Sequence, residues 1–293
     1  MITSKGNAKI RNLVALRKKA SERAQQDVFL VEGIKMFREV PADQLVEVYV
    51  SESFLNQEAG REALKMKKRE VVTPLSRNTR EVQQSEMGAD ERADSAGVRR
   101  TPVFEEVSDE VFQLLSDTKS PQGILAVVRQ KHYRFEDLLG KVPLVMVLEN
   151  LQDPGNLGTI IRTAEGAGVT GILMSRGTAD LYNPKVTRST MGSIFRMPFL
   201  YTDQLSVDIQ RLKHAGVSVC AAHLQGKNTY DRENYRGGTA FLIGNESKGL
   251  SDEISALADV RVKIPMEGKV ESLNASVAAA ILMYEASRQR RKF

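Results

Sequence analysis

The chain of 293 residues has a single cysteine, Cys220, and three histidines, His132, His214 and His223, scattered along its length. One thiol closes no internal disulfide, and these spacings match no zinc cluster, so neither a disulfide framework nor a bound metal is expected. Cys220 sits in the apolar run VSVCAA (217–222). There, a buried, inert thiol in a reducing cytoplasm is the expected state. No stretch of about 18 apolar residues occurs, so no transmembrane helix is predicted. The opening MITSKGN has no apolar core of the kind a signal peptide needs, so secretion by that route is not expected. No internal repeat is visible. Hydrophobic residues at 41% and charged residues at 27% fit a globular chain, long enough for two ordinary domains or one large one.

The charge imbalance is also small. A formal +5 permits a nucleic-acid partner without requiring one. Its distribution says more. Lys5, Lys9, Arg11, Arg17, Lys18, Lys19 and Arg23 face a single acid, Glu22, within the first 23 residues, and the chain ends RQRRK (288–292) before its last residue. Two basic ends suit a phosphate-contacting surface, and solvated helix faces are the equal alternative.

Residues 8–24 space Ile10, Leu13, Val14 and Leu16 on one helical face. Strands are expected at 27–31, 45–50, 71–73 and 123–128, with helices at 32–40, 53–68 and 108–115, the second of these helices followed directly by the strand at 71–73. This alternation predicts a small α/β domain over residues 1–130. Inside it, residues 83–101 contain no aromatic residue and no periodic apolar face. They read as a mobile insertion, with an exposed helix as the competing reading. Residues 131–141 read as a linker. From residue 142 to 293 the alternation is clearer, with near-continuous apolar strands at 144–148, 171–174, 217–222, 240–243 and 260–264. Helices run through 160–162 and from about 274 to 290. Such strands imply a parallel sheet covered on both faces.

Two glycine patterns mislead. GAGVTG (166–171) fits the dinucleotide fingerprint, yet here a helix precedes it and a strand follows, the reverse of what that fold needs. Its glycines are expected to end the helix. GNESKGLS (244–251) has phosphate-loop glycine spacing, but Leu250 stands where the phosphate-binding lysine should be.

Three segments carry polar residues that an apolar α/β core does not need: ENLQDPGNLGTIIRTA (149–164), FLIGNESKGLS (241–251) and IPMEGKVESLNASVA (264–278). In that order they resemble the three signature motifs of the SpoU/TrmH family, within the SPOUT class of knotted methyltransferases, over roughly residues 142–291. SKGN (4–7), FLVEG (29–33) and SPQGI (120–124) resemble, less specifically, the RNA 2′-O-ribose methyltransferase substrate-binding domain, a ribosomal-protein-like α/β/α sandwich.

Read physically, DPGN (153–156) is a turn with Asn156 as a plausible N-cap, and capping also suits Ser272 and Asn274. Arg162, between apolar neighbours, suits an ion pair, a snorkelling surface arginine or a functional cation. Gly244 follows a buried strand and would let backbone approach a ligand at a carboxyl end, where open α/β sheets bind.

The resemblance implies a C-terminal trefoil knot, a homodimer through the C-terminal domain and S-adenosyl-L-methionine as cofactor. It places the cofactor against Leu224, Gly244, Asn245, Glu246, Ile264, Pro265, Met266 and Leu273. It implies transfer of a methyl group to a ribose 2′-hydroxyl of RNA, with Arg162, Asn156, Glu246, Ser272 and Asn274 as catalytic residues. Glu246 would orient the arginine or a loop. The added N-terminal domain favours 23S-type large-subunit rRNA over tRNA as partner, with RNA on Lys5, Lys9, Arg11, Arg17, Lys18 and Lys19. A non-catalytic ribosome-assembly protein is the rival, and a cytoplasmic location is expected.

Overall fold

Asn7 accepts the N–H of Lys9 with its side chain, and α1 (Ala8–Lys18) starts there. The helix expected to continue to residue 24 breaks at Lys19, which is extended, and resumes as α2 (Ala20–Gln26). The break leaves carbonyls without partners. The Arg23 guanidinium, 3% exposed, donates to those of Leu16 and Arg17. The computed structural model describes residues 1–72 and 101–291 in two compact units, Met1–Gln130 and Lys131–Phe293.

In the first unit follow β1 (Val28–Glu32), α3 (Ile34–Glu39), β2 (Leu45–Ser51), α4 (Glu52–Leu55), α5 (Glu58–Val72), β3 (Val103–Val107), α6 (Asp109–Leu115) and β4 (Ile124–Arg129). The sheet order is β1-β4-β2-β3, with antiparallel pairs except β2 with β3. Val28, Leu30, Tyr49, Leu125 and Val127 pack with Ile10, Leu13 and Leu16 of α1 and with Val111, Phe112 and Leu115 of α6. The alternate residues Phe29, Val31, Val48, Val50 and Val128 are buried as well, on the face where α3 packs against β1 and β4 and α5 against α3. The strand expected at 71–73 is absent: Val71 and Val72 are the last turn of α5, and Thr73 lies outside the described residues. Val72, 76% exposed, packs on no sheet among the described residues, so helix propagation prevails over its β propensity. The insertion read at 83–101 lies, up to residue 100, outside the described residues.

The second unit begins with residues 131–141. A 3-10 turn at Phe135–Leu138 buries Phe135 and Leu138 in this unit's core. Then come β5 (Leu144–Leu148), α7 (Pro154–Ala167), β6 (Gly171–Ser175), α8 (Pro184–Ser189), β7 (Phe199–Thr202), α9 (Leu205–His214), β8 (Ser218–Ala222), β9 (Asn228–Thr229), β10 (Thr239–Ile243), α10 (Asp252–Ala256), β11 (Val260–Lys263) and α11 (Ala275–Arg290). Seven strands pair in the order β7-β6-β5-β10-β8-β11-β9, every pair parallel. β5 and β10 are buried at every position, as central strands covered on both faces must be. Gly168, left-handed at φ 79°, ends α7 and turns the chain toward β6, so the GAGVTG glycines are a helix stop. Cys220 is buried in β8, and burial pushes its thiol up to about 12, which keeps it protonated and inert.

Strand order reverses between β5 and β10. β6 and β7 extend one side of that pair, and β8, β11 and β9 the other. The loops leaving the carboxyl ends of β5 and β10 therefore meet at a topological switch point, the expected place for a ligand in an open parallel sheet.

Candidate active site

The loop after β5 enters α7 through Asp153, whose carboxylate accepts the N–H of Asn156. Asp153 is the N-cap, so the expected capping role of Asn156 is corrected. Pro154 at the first helical position pushes the preceding residue to extended backbone, which is the N-cap conformation. Asn156 lies inside the first turn, buried, with its side chain free for other work.

That work is to join the three motifs. Glu246, in the loop after β10, accepts through Oε1 from the Asp153 N–H at 2.9 Å and from Asn156 Nδ2 at 3.1 Å. Its Oε2 accepts from the Gln152 N–H at 3.1 Å. A carboxylate only accepts, so Asn156 must present its NH2 to Glu246, which leaves its Oδ1 to accept from Asn274 Nδ2 at 2.9 Å. Asn274 then accepts with Oδ1 from the N–H groups of Ser276 and Val277 and from the Ser276 hydroxyl. It is the N-cap of α11, as expected. Both amide orientations follow from the ends of the chain: an acceptor-only carboxylate at one end and backbone donors at the other. Burial alone would raise the Glu246 carboxyl, but bonds from Asn156 and from the backbone of Gln152 and Asp153 outweigh it and hold the group below its ordinary 4.5.

The β10 loop is held elsewhere too. Asn245 Nδ2 donates to the Asn150 carbonyl at 2.8 Å, and its Oδ1 accepts the N–H groups of Ser247 and Lys248. Glu149, 8% exposed at the end of β5, accepts from both the N–H and the hydroxyl of Ser251, the N-cap of α10. Gly244 is required by this closure. A Cβ there would lie 2.1 Å from the Gly249 carbonyl carbon and 2.2 Å from the Leu250 nitrogen, so the close approach is of the loop to itself.

Beside the loop lies a cavity of about 290 Å³ at the carboxyl ends of β8, β10 and β11. Of the cofactor residues expected from sequence, Leu224, Gly244, Asn245, Glu246, Ile264, Met266 and Leu273 line it, and Pro265 does not. Ser272 lines it as well, and its hydroxyl has no hydrogen-bond partner among the described residues, so it is not a cap. Leu224 is 66% exposed although it forms a wall, which marks apolar surface available to a bound molecule. Sequence reasoning missed His223, Ser247, Lys248 and Lys263 in the lining, and Glu149, Asn150 and Ser251 in the support. Glu149 and Asn150 do open the first motif, and Ser251 precedes two acids as an N-cap does, so a signal was present.

Arg162 stands apart. It is exposed on α7 and forms no hydrogen bond or ion pair among the described residues. Glu246 holds a loop rather than this arginine. Four residues to either side of Arg162 are Gly158 and Gly166. A Cβ on Gly158 would lie 1.7 Å from the Ser189 hydroxyl of α8, and one on Gly166 would lie 3.3 Å from the Tyr284 hydroxyl of α11. Arg162 thus rises from a stripe of α7 on which neighbouring helices pack closely.

Of the basic residues expected to meet RNA, Lys9 pairs with Glu105 and Arg17 donates to the carbonyls of Leu114 and Ser116 at the end of α6. Lys5 and Lys19 each lie 3.9 Å from a glutamate. Arg11 and Lys18 are exposed and have no side-chain partner among the described residues. At the other end of the chain, Arg290 donates to the carbonyls of Val142, Pro143, Tyr235 and Gly237 and so closes the second unit. Among the described residues no group of three or more His, Cys, Asp or Glu could hold a metal, and no helix is long and apolar enough to cross a membrane.

Residues 143–284 match the SpoU rRNA methylase family. The 23S rRNA (guanosine(2553)-2'-O)-methyltransferase RlmP of Bacillus subtilis (strain 168) is 36% identical over 178 residues, 61% of this chain and 70% of that protein. An AdoMet-bound rRNA methyltransferase of Sinorhizobium meliloti has the same fold, with 26% identity and a TM-score of 0.78 over 98% of this chain and 97% of that one. A solved RNA 2'-O ribose methyltransferase is 29% identical, with a TM-score of 0.73 over 99% of this chain and 98% of that one. Sequence and fold agree with the motif geometry at the switch point: the chain belongs to the SpoU rRNA methylase family.

Proposed function

We propose that this protein transfers a methyl group from S-adenosyl-L-methionine to a ribose 2′-hydroxyl of RNA, in 23S-type large-subunit rRNA. The observation that carries the reading is the hydrogen-bond chain Glu246–Asn156–Asn274, which ties all three motifs together beside a ligand-sized cavity. The residues present fit the cofactor. Leu224, Ile264, Met266 and Leu273 offer apolar walls, and the backbone of the 244–249 loop lies alongside them, as suits a ligand with a flat base and a polar tail. Bound there, the cofactor supplies a methyl group on a positively charged sulfur, whose leaving group is a neutral thioether and needs no acid.

The chain's own residues serve the nucleophile. A 2′-hydroxyl attacks well only as its proton leaves. The new bond is oxygen to methyl carbon, the broken bond is carbon to sulfur, and the proton passes to an RNA phosphate oxygen or to water. Arg162 is the cation for this step. A guanidinium keeps its protons in proteins, so it acts by clamping phosphate and stabilising the developing alkoxide rather than as a base. Its exposure and its lack of a partner among the described residues support a role toward a ligand. Asn156, Glu246 and Asn274 hold the loops in register, and the Ser272 hydroxyl, without a partner among the described residues, is available at the cavity wall.

We further infer a trefoil knot. β11 lies beyond β8, yet α11 packs on α7 and β10, so the connecting residues 264–274 recross the β10 end beside the 244–249 loop. The first unit is inferred to be the ribosomal-protein-like substrate-binding domain and to dock RNA through its basic residues, Arg11 and Lys18 among them. A cytoplasmic homodimer is part of the same reading: α11 leaves Val277 and Tyr284 exposed, a face that a second copy would cover.

The test is methyl transfer from labelled cofactor to purified large-subunit rRNA, small-subunit rRNA and tRNA. Label is expected in the first. Label in tRNA alone overturns the substrate, and label in none overturns the activity.

A further inference from the structure

Folding already uses several of the cations at the N-terminus, and a second basic row lies on the opposite face of the first unit. Along α5, Arg61, Lys65, Lys68 and Val72 recur every three or four residues and so share one helical face, with Arg69 beside them. With Leu64 they line an open groove of about 560 Å³. All four cations are exposed, and none forms an ion pair among the described residues. Arg61 donates to the Leu55 carbonyl at 2.8 Å, and the Lys68 ammonium lies 4.7 Å from the centre of the Phe104 ring.

The same helix shows what a lysine used for folding looks like. Lys67 is 3% exposed, donates to the carbonyls of Arg38 and Val40 and pairs with Glu70 at 2.6 Å. Lys65, Lys68 and Arg69 do none of this. The acids Glu58 and Glu62 lie toward the start of the helix, and Glu70 is taken up by Lys67, so the later half of the groove is cationic.

We propose that this α5 groove is a second docking surface for the RNA phosphodiester backbone, an inference that rests on the function proposed above. Arg61, Lys65 and Arg69 span about 12 Å at 1.5 Å per residue, alongside roughly three to four phosphates of one strand. Lysine is depleted where proteins bind proteins, and four of the six residues lining this open groove are cations, so its chemistry favours a polyanion over a protein. RNA held there and on α1 would touch both faces of the sheet of the first unit.

The test is the salt dependence of binding between the full-length protein and a large-subunit rRNA transcript, from 50 to 200 mM salt. For Lys65→Gln, Lys68→Gln and Arg69→Gln combined, the slope of log affinity against log salt should be shallower by about two, at roughly 0.7–0.9 for each phosphate no longer neutralised. Affinity at 100 mM salt should fall roughly tenfold or more. Lys65→Arg with Lys68→Arg should keep the wild-type slope, because the charge remains. Cofactor affinity and melting temperature, measured on the same samples, report the fold. Should the triple variant melt early, Lys65→Gln alone, which removes no hydrogen bond or ion pair among the described residues, should still make the slope shallower by about one. A wild-type slope and affinity in the triple or single variant overturns the surface and leaves the enzymatic reading intact. A wild-type protein that binds RNA with the expected slope but transfers no methyl group overturns the enzymatic reading and leaves the surface standing.

Discussion

Replacing Glu246 by glutamine removes one of two acceptor oxygens and changes little else in shape. The wild-type carboxylate takes three donors, two of them backbone N–H groups of the β5 loop. The glutamine oxygen can keep the Asp153 N–H and Asn156 Nδ2, but its NH2 then faces the Gln152 N–H, donor against donor. A hydrogen bond to a charged group is worth about 1.5–3 kcal/mol net, and this one is solvent-exposed, so the low end applies. If the 244–251 loop must be docked on 150–156 for the cofactor to bind, about 1.4 kcal/mol raises its Kd roughly tenfold. Isothermal titration reads that directly, and hydrogen exchange at Gln152 and Asp153 reports the loop. The wild-type tie also has a pH window. The Glu246 carboxyl titrates below its ordinary 4.5, so its contribution is complete above that value and is lost as pH falls through the lowered one. Cofactor affinity should therefore be flat from pH 8 to 5 as far as this group is concerned and weaken below about 4.5. A Gln variant that binds cofactor within twofold of wild type, with unchanged amide protection, would refute the reasoning.

Arg162→Ala should cut methyl transfer by about 100-fold or more while leaving cofactor affinity and melting temperature close to wild type, and Arg162→Lys should recover little, because a planar fork becomes a point charge. Arg17→Ala should destabilise the first unit by about 1–3 kcal/mol in urea titration, since the carbonyls of Leu114 and of the α6 C-cap Ser116 lose a charged donor, whereas Lys18→Ala should stay within about 0.5 kcal/mol. A fragment beginning at Lys131 should fold and bind cofactor. One beginning at Lys141 loses Phe135 and Leu138 from the core and should be less stable by several kcal/mol, about 2–5 for each side chain, with calorimetry as the readout.

The strands and helices that sequence reveals best are those buried on two sides or long enough to show a period. β5, β10 and α11 fall within a residue or so of expectation because LVMVL and TAFLI have no polar position facing solvent and α11 has a cap at Asn274. Of the four edge strands β1 was expected and the other three escaped. β3 (VFEEV) has two acids and, among the described residues, meets only β2 and a single bridge to Ile2, so little obliges it to be apolar, and β7 and β9 lie at the two edges of the larger sheet. The cap of α7 lies three residues before the expected one, because Asp153 and Asn156 are both good caps and only the rule for the residue before proline separates them. The motifs supplied most of the cavity wall, yet the support at Glu149–Ser251 joins positions 102 residues apart, a pairing no local pattern shows. The fate of the early cations was equally hidden. Arg17 and Arg23 look like their neighbours in sequence, and only the packing of α1, α2 and α6 assigns them to carbonyls.

Whether the product is a ribose 2′-O-methyl group in large-subunit rRNA decides the central claim. Large-subunit rRNA incubated with the protein and labelled cofactor should, after complete alkaline hydrolysis, retain its label in one alkali-resistant dinucleotide, because a methylated 2′-oxygen cannot attack the neighbouring phosphate. Label released in mononucleotides, as methylation of a base would give, would contradict the account.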